Sequence, residues 1–449
     1  MDFLIFYEHV NREIESIILL KKYLESRGYS VTVSHFSKNN YGRHVMLSKP
    51  KVVVTPWLRD DENVYRFTRF RNIPKIVNLQ WEQIYSQSDY EKGIASTTGK
   101  ALMCSHICWG EKTRERLMLE GVSPDKTFIA GAIHLDFCRE EFNTYYHNKD
   151  YISSKFGLDK NKQWVLFISS FAFATYKIQS LSKLYEQWGD FSDFVDIHRE
   201  SRKLFLEWVE NLIQENPNIE FIYRPHPSEN SDELLEYFED TIDQFHVIND
   251  FSVKQWIKVS DCIVTWYSTS IAEIIAMNRS FHIVRPIPIP QKYELEILNE
   301  ANFIETSDDF VKTICSSRDN KLPIDESIFK EYYNIDDEPA FIKVANILIG
   351  VLKTEQFDYL KSFKNTNTEH QFKNKYRKEV VISLLAEFLM KSKIRISKFI
   401  PYRRDILENI EQYSESFPHS YISEVESRIN NYFSQHHKDI IGENNHKWR

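Results

Sequence analysis

Between Asn218 and Met277 the chain twice shows one local pattern, a short apolar run that stops abruptly at polar residues. Ile219 to Tyr223 reads as a strand running into Arg224-Pro225-His226-Pro227-Ser228-Glu229. Farther on, Cys262 to Thr265 runs into Trp266-Tyr267-Ser268-Thr269-Ser270 and then a helix. Polar clusters at the carboxyl ends of buried strands are what an open α/β sheet uses to hold a ligand. The second cluster also sets three hydroxyls at a helix start, where free N–H groups and the helix dipole favour a phosphate. The pattern predicts a nucleotide-binding half-site.

At 449 residues the chain is too long for one core, and roughly 100–200 residues per domain predicts two or three. Only 11 glycines and 14 prolines exclude a fibrous or low-complexity chain. Five cysteines without a CxxC pair suggest free thiols in a reducing cytosol. Met1-Asp2-Phe3-Leu4-Ile5-Phe6 enters a strand directly, so no signal peptide is expected. No apolar stretch approaches the roughly 18 residues that span a bilayer. The expectation is a cytoplasmic chain, soluble or peripheral. Net charge is −8, yet Lys373 to Arg404 holds ten Lys/Arg against two Glu, about +8, leaving about −16 elsewhere. That acidic balance argues against nucleic-acid binding.

Residues 1–142 alternate strand and helix signals. Asn11 is placed to cap a helix with Ile14, Ile17, Ile18 and Leu24 on one face. Short runs at Lys51–Val54, Lys75–Leu79, Ala101–Cys104 and Thr127–Ala130 continue a parallel sheet with crossover helices. Asn143–Asp150 reads as a linker. A second α/β unit starts at Gln163–Ser169 and continues through a helix at Arg202–Asn216. Ser280–Val284 is another strand, Pro286, Pro288 and Pro290 mark a loop, and Pro339–Leu352 is a final helix. The expected fold class is α/β of the GT-B plan, two Rossmann-like domains facing a cleft, at 1–145 and 150–352. A helical extension over 353–449 follows. In it Val381, Leu384, Leu385 and Phe388 form an apolar stripe flanked by Lys375, Arg377, Lys378, Lys391, Lys393 and Arg395. Such a helix lies on an anionic membrane surface through 373–404, docks on its own protein, or binds a partner.

Several residues are candidates for chemistry. His226, framed by Pro225 and Pro227, sits on rigid extended backbone where it can stabilise a leaving phosphate. Arg224 and Glu229 flank it as further nucleotide or phosphate contacts, with Glu229 also placed to orient the histidine or bind ribose. Ser268, Thr269 and Ser270 suit phosphate contact beyond helix capping, which needs one hydroxyl. Glu273 is a ribose candidate, and Ser169-Ser170 ends another strand near the nucleotide. The catalytic base is sought in the first unit. There Trp81 is expected to desolvate Glu82 and raise its pKa, with Asp60 and Asp61 as rivals. Glu8, Arg12 and Glu13 at the first strand–helix junction are candidate acceptor or donor-sugar contacts. A strand-ending Asp-x-Asp, HExxH, GxGxxG and P-loop are all missing from the sequence, so no metal and no nicotinamide cofactor is expected.

Asn11-Arg12-Glu13-Ile14, Cys108-Trp109-Gly110, Ile129-Ala130-Gly131 leading to Asp136, Phe167-Ile168-Ser169-Ser170-Phe171, Arg224-Pro225-His226-Pro227-Ser228-Glu229 and a Ser/Thr pair opening a helix follow in order. Together they resemble the bacterial surface-carbohydrate biosynthesis proteins, GT-B-like enzymes of capsule or O-antigen assembly, over roughly residues 1–350. The His-Pro and Ser/Thr pairs are also similar to those of capsular Kdo transferases and bacterial sialyltransferases. That resemblance implies His226 and Pro227 on a CMP-sugar, Ser268–Ser270 on its phosphate, and no metal. It implies a glycosyltransferase with a CMP-linked, Kdo-like donor and a surface polysaccharide or lipid-linked glycan acceptor, working at the inner face of the cytoplasmic membrane. The family's acidic base motif is replaced here by Trp81-Glu82-Gln83. The alternatives are a CDP-glycerol or CDP-ribitol polyol-phosphate transferase, a UDP-sugar epimerase-like enzyme, and a non-catalytic binding subunit.

Overall fold

The computed structural model describes residues 1–36, 47–68, 74–176, 178–231, 234, 243–316, 322–355, 367–392, 406–407 and 419–441. Two compact units share the chain. Met1–Gln83, Ser96–Asp136 and Glu331–Arg449 form the first, and Ile84–Ala95 with Phe137–Lys330 the second. Membership thus interleaves along the sequence, in contrast to consecutive segments 1–145, 150–352 and 353–449.

The first unit is built on six parallel strands, β1 (Phe3–Tyr7), β2 (Val31–His35), β3 (Val52–Thr55), β4 (Lys75–Asn78), β5 (Ser105–Cys108) and β6 (Thr127–Ile129), in the order β2-β1-β3-β4-β5-β6. The second is built on β7 (Gln163–Ile168), β8 (Ile219–Arg224), β9 (Phe245–Val247), β10 (Cys262–Thr265), β11 (His282–Val284) and β12 (Phe303–Ile304), in the order β12-β11-β10-β7-β8-β9. All of its pairs are parallel too; Leu166 on β7 lies between Ile222 of β8 and Ile263 of β10. A parallel sheet is covered by helices on both faces, which is why β1, β3 and β5 are buried throughout. β1 and β3 also read as near-continuous apolar runs, whereas β5 is Ser-His-Ile-Cys. The helices used below are α1 (Val10–Ser26), α2 (Asp61–Thr68), α3 (Ser192–Glu215), α4 (Ile271–Ala276), α5 (Ala340–Lys353), α6 (Asn367–Ser392) and α7 (His419–Ile441).

Four local expectations change. The strand expected at Ala101–Cys104 is a 3-10 turn over Gly99–Met103, and β5 follows at Ser105–Cys108, where the polar Ser105 and His106 hide it from an apolar-run reading. Helix α1 starts at Val10 with His9 as N-cap, not at Asn11. The cause is Glu13, whose carboxylate accepts the Glu8 backbone N–H at 2.8 Å and closes the turn upstream of Asn11. Helix α3 begins ten residues before Arg202, because Phe194, Val195, His198 and Ser201 prolong its buried face. The linker is structured. Phe142 is buried against Phe137 and Tyr145 at centroid distances of 4.8 and 6.4 Å, and Asn148 Oδ1 accepts the Tyr151 N–H at 2.9 Å to cap a helix.

The return of the C-terminal segment to the first unit explains several motif residues. The Asp136 carboxylate accepts the N–H groups of Ala340 and Phe341 at 2.8 and 2.7 Å, capping α5 from another element. Trp109 stacks on Tyr333 at 5.4 Å, and its carbonyl accepts the Asn334 N–H at 2.8 Å. A Cβ on Gly110 would lie 2.5 Å from the Glu331 carbonyl oxygen. One on Gly131, which has φ +81°, would lie 2.6 Å from that of Asn334. Cys108-Trp109-Gly110 and Ile129-Ala130-Gly131 with Asp136 therefore seat the returning chain. Helix α5 then meets α1, where Tyr23 and Phe341 pack edge to face at 5.3 Å. Helix α6 is held by Tyr376, whose hydroxyl accepts from Arg66 Nε at 2.6 Å and donates to Glu62.

Asp136→Ala leaves two buried N–H groups without an acceptor. It is expected to cost about 2 kcal/mol, measured as a lowered urea midpoint with an unchanged slope.

Candidate functional site

Strand order brings the candidate nucleotide residues of the second unit to one sheet edge. β8 and β9 extend from one side of β7, and β10, β11 and β12 from the other. The connections after β7 and β10 therefore leave in opposite directions, which opens a crevice at their carboxyl ends. Ser169-Ser170 follows β7 and Trp266–Ser270 follows β10, so the two hydroxyl clusters flank this switch point. The His226 loop follows β8, the neighbour of β7.

Glu229 organises that loop. Its side chain is fully buried, and four donors reach it: Ser169 Oγ and the Tyr223 hydroxyl, both at 2.6 Å, and Arg202 Nε and the His226 backbone N–H, both at 3.2 Å. Burial, and next the Glu229 charge, push the Tyr223 phenol far above its usual range. Of the two roles considered for Glu229, the geometry shows orientation of the His226 loop. His226 is half-buried, and its Nδ1 accepts the Ser228 N–H at 3.1 Å. The neutral ring therefore carries its proton on Nε2 and presents it as a donor. Pro227 is exposed beside it. Arg224 turns aside: its guanidinium donates to the carbonyls of Asp250 and Phe251, bracing the loop after β9.

Beyond β10, Ser268 Oγ accepts the Ser270 N–H at 3.2 Å, and Ser270 stands at the N-cap of α4 without a side-chain capping bond. Ser268 is nearly buried, Ser270 half-buried and Thr269 exposed, and Glu273 lies half-buried one turn on. Ser170 is half-buried while Ser169 faces inward to Glu229.

Two features escaped sequence reasoning. His198 on α3 is 2% exposed and ringed by Phe173, Phe194 and Trp266 at 5.0, 4.6 and 4.7 Å. Both its ring nitrogens, the Ser201 hydroxyl and the Trp266 N–H lack hydrogen-bond partners among the described residues. Burial, and then the nearby His226, lower the pKa of His198 to about 3. The second feature is Arg285, directly after β11, which pairs with Glu294 at 3.0 Å, both nearly buried. It also lies over the Trp266 ring at 5.7 Å. A charge immediately after the apolar Phe281–Val284 run was the available signal.

The first unit carries its own cluster at the corresponding place, between β1 and β3. Trp57 Nε1 donates to Glu8 at 3.1 Å, and Arg12 donates to Glu13 at 2.8 Å and to Glu82 at 2.6 Å. The expected rise in the Glu82 pKa is overturned. Local desolvation pushes it up, but the Arg12 charge and hydrogen bond outweigh that and hold it below the usual range, and the side chain is 58% exposed. Trp81 is buried apart from that carboxylate's bonds, its backbone N–H on the Pro56 carbonyl. Asp60 and Asp61 are spent on the backbone N–H groups of Asn63 and Lys100. The raised carboxyls are Glu13, pushed by burial to about 7, and Glu8, raised by burial against the opposing pull of Arg12.

The pH dependence follows with opposite signs. Glu13, raised when folded, contributes stability that is present below about pH 4.5 and lost as pH rises through about 7. His198, lowered when folded, contributes stability that is present above about pH 6.5 and lost as pH falls toward 3. Urea unfolding of Glu13→Gln is expected to show a smaller decline between pH 5 and 8 than wild type. His198→Phe is expected to flatten the acid side.

The sequence matches no protein-family model and no curated protein. Solved structures do share the fold. The Methanocaldococcus jannaschii UDP-GlcNAc 2-epimerase in complex with UDP-GlcNAc and UDP is similar at TM-score 0.52 and 13% identity, covering 78% of this chain and 100% of that one. The wall teichoic acid polymerase TagF is similar at TM-score 0.51 and 11% identity, covering 78% and 89%. A histidine variant of TagF soaked with CDPG is similar at TM-score 0.50 and 10% identity, with the same coverage. The chain has the GT-B class of fold, two Rossmann-like α/β units.

Proposed function

We propose that this chain is a GT-B enzyme of bacterial surface-glycan assembly that binds a nucleotide-activated sugar or polyol in its second unit. One observation carries the reading: at the switch point of a six-stranded parallel sheet, hydroxyl clusters follow β7 and β10, and His226, its Nδ1 accepting the Ser228 N–H, lies in the loop after the adjoining β8. A neutral donor of this kind stabilises charge on a departing phosphate without reorganising. The CMP-linked, Kdo-like donor has weaker support than a nucleoside diphosphate. The fold neighbours are described with UDP-GlcNAc, UDP and CDPG, which favours a CDP-polyol or UDP-sugar substrate. The reaction we assign is transfer to a surface glycan or lipid-linked acceptor. Similarity to the epimerase supports a second reading, in which a UDP-sugar reacts without an acceptor.

Proton acceptance is assigned to Glu8. It is half-buried with a raised pKa, whereas Glu82 is ion-paired and lowered. Glu82 then serves to hold Arg12, and Glu13 holds the β1–α1 turn. Nucleotide binding is assigned to His226, Ser170, Thr269 and Ser270, with Glu273 as a ribose contact and Ser169, Arg224 and Glu229 bracing the loop. No metal is assigned, since no strand ends in Asp-x-Asp.

Calorimetry with UDP, CDP and CMP tests the reading. UDP or CDP is expected to bind at least about tenfold more tightly than CMP, because the second phosphate adds charge-assisted bonds. Preference for CMP restores the CMP-sugar donor, and no binding of any of the three overturns the enzyme reading. With the preferred donor, His226→Ala is expected to lower turnover about 10²-fold or more. Glu8→Gln is expected to slow it more than Glu82→Gln, with loss of the acid limb of the pH–rate profile.

A further inference from the structure

Helix α6 is apolar on two sides, and the described residues cover only one. Tyr376, Val380, Ile382 and Leu389 face the protein and are at most 8% exposed. On the opposite side, Val381, Leu384, Leu385 and Phe388 are 50, 39, 38 and 61% exposed. At about 100° per residue these four fall within an arc of roughly 120°. Exposed Lys373, Arg377 and Lys378 project along the border of the same arc, one to two turns toward the helix start. Among the described side chains from Lys373 to Phe388, the one carboxylate, Glu379, lies on the protein side of the helix and is half-buried. Lys375 points elsewhere, to Glu62 at 2.9 Å.

The charge on this face decides what fits it. A second copy of the chain would bring the same cations into the contact. An anionic bilayer offers negative headgroups to Lys373, Arg377 and Lys378, and an apolar boundary to the four large side chains. No helix of the described residues is long and apolar enough to cross a membrane, so α6 would lie in the interface plane. We propose that this face of α6 is a docking surface for anionic phospholipid bilayers. The inference is independent of the nucleotide reading.

Flotation of the full chain without nucleotide, on phosphatidylcholine vesicles with and without phosphatidylglycerol, tests it. Wild type is expected to float with the anionic vesicles only, and to be released by salt. Leu384→Gln with Phe388→Gln, and separately Arg377→Glu with Lys378→Glu, are each expected to weaken binding at least about tenfold. Because these side chains are exposed, melting temperatures should match wild type and confirm folding. Wild type remaining soluble with anionic vesicles, or binding equally after both double substitutions, overturns the proposal. Light scattering that shows a wild-type dimer converted to monomer by Phe388→Gln would assign the face to a second copy and also overturn it.

Discussion

Glu229 brings a carboxylate into the interior of the second unit, and an ion buried there costs several kcal/mol unless it is paired and hydrogen-bonded. The Arg202 guanidinium supplies the pairing, and Ser169, Tyr223 and the His226 N–H supply the remaining bonds. These donors come from α3, the end of β7, β8 and the loop after it. Four segments are thereby fixed relative to one another by one side chain. His226 inherits its position from this arrangement, and Ser228 then sets the ring's tautomer. A histidine placed by its backbone and by its own Nδ1 carries the proton of its neutral ring on Nε2, which is the property the proposed chemistry uses.

The first unit solves a different electrostatic problem. Three carboxylates, Glu8, Glu13 and Glu82, gather around one guanidinium at Arg12. Arg12 bonds two of the three, and Arg59 acts on Glu8 and Glu82 only through its charge, so the outcome depends on who is buried and who is bonded. Glu82 is exposed and takes the shortest bond, and it stays ionised. Glu13 has no exposure and keeps its proton longer. Glu8 lies between these extremes, with Trp57 holding one oxygen. A shared cation thus produces carboxyls of different basicity within a single cluster.

How much was legible in the sequence follows from the range of the interactions. Most strands were readable because sheets covered on both faces favour apolar runs, and the runs at Ile219–Tyr223 and Cys262–Thr265 fall on β8 and β10. β5, which begins Ser105-His106, was not, and the run before it at Ala101–Cys104 is a 3-10 turn. The switch point was approached through polar residues at strand ends, a purely local signal. Glu82 was misread because its partner Arg12 lies 70 residues away, and Trp81 beside it in sequence was the wrong neighbour to consult. Arg224 looked like a phosphate ligand next to His226, yet its bonds are to carbonyls of the segment after β9. His198 gave no sign at all, since nothing in an amphipathic helix distinguishes a histidine on the buried stripe from one at its edge. Gly110, Gly131 and Asp136 were noticed as motif residues, but their purpose depends on a segment that returns some two hundred residues later, between Glu331 and Phe341.

The C-terminal region shows why two sequence readings of one helix need not compete. In the sequence, a basic amphipathic stripe reads either as a membrane surface or as the solvated side of a docked helix. Docking is accounted for by Tyr376, which enters between Arg66 and Glu62 of α2, and by Ile382, Ala386 and Leu389, which pack with Ile406. Val381, Leu384, Leu385 and Phe388 take no part in that core. An amphipathic helix needs one apolar face to dock, and α6 has a second. Had the outer face been polar, intramolecular docking would have explained the helix completely. Its large apolar side chains, bordered by cations, are the part of α6 that the fold alone does not require.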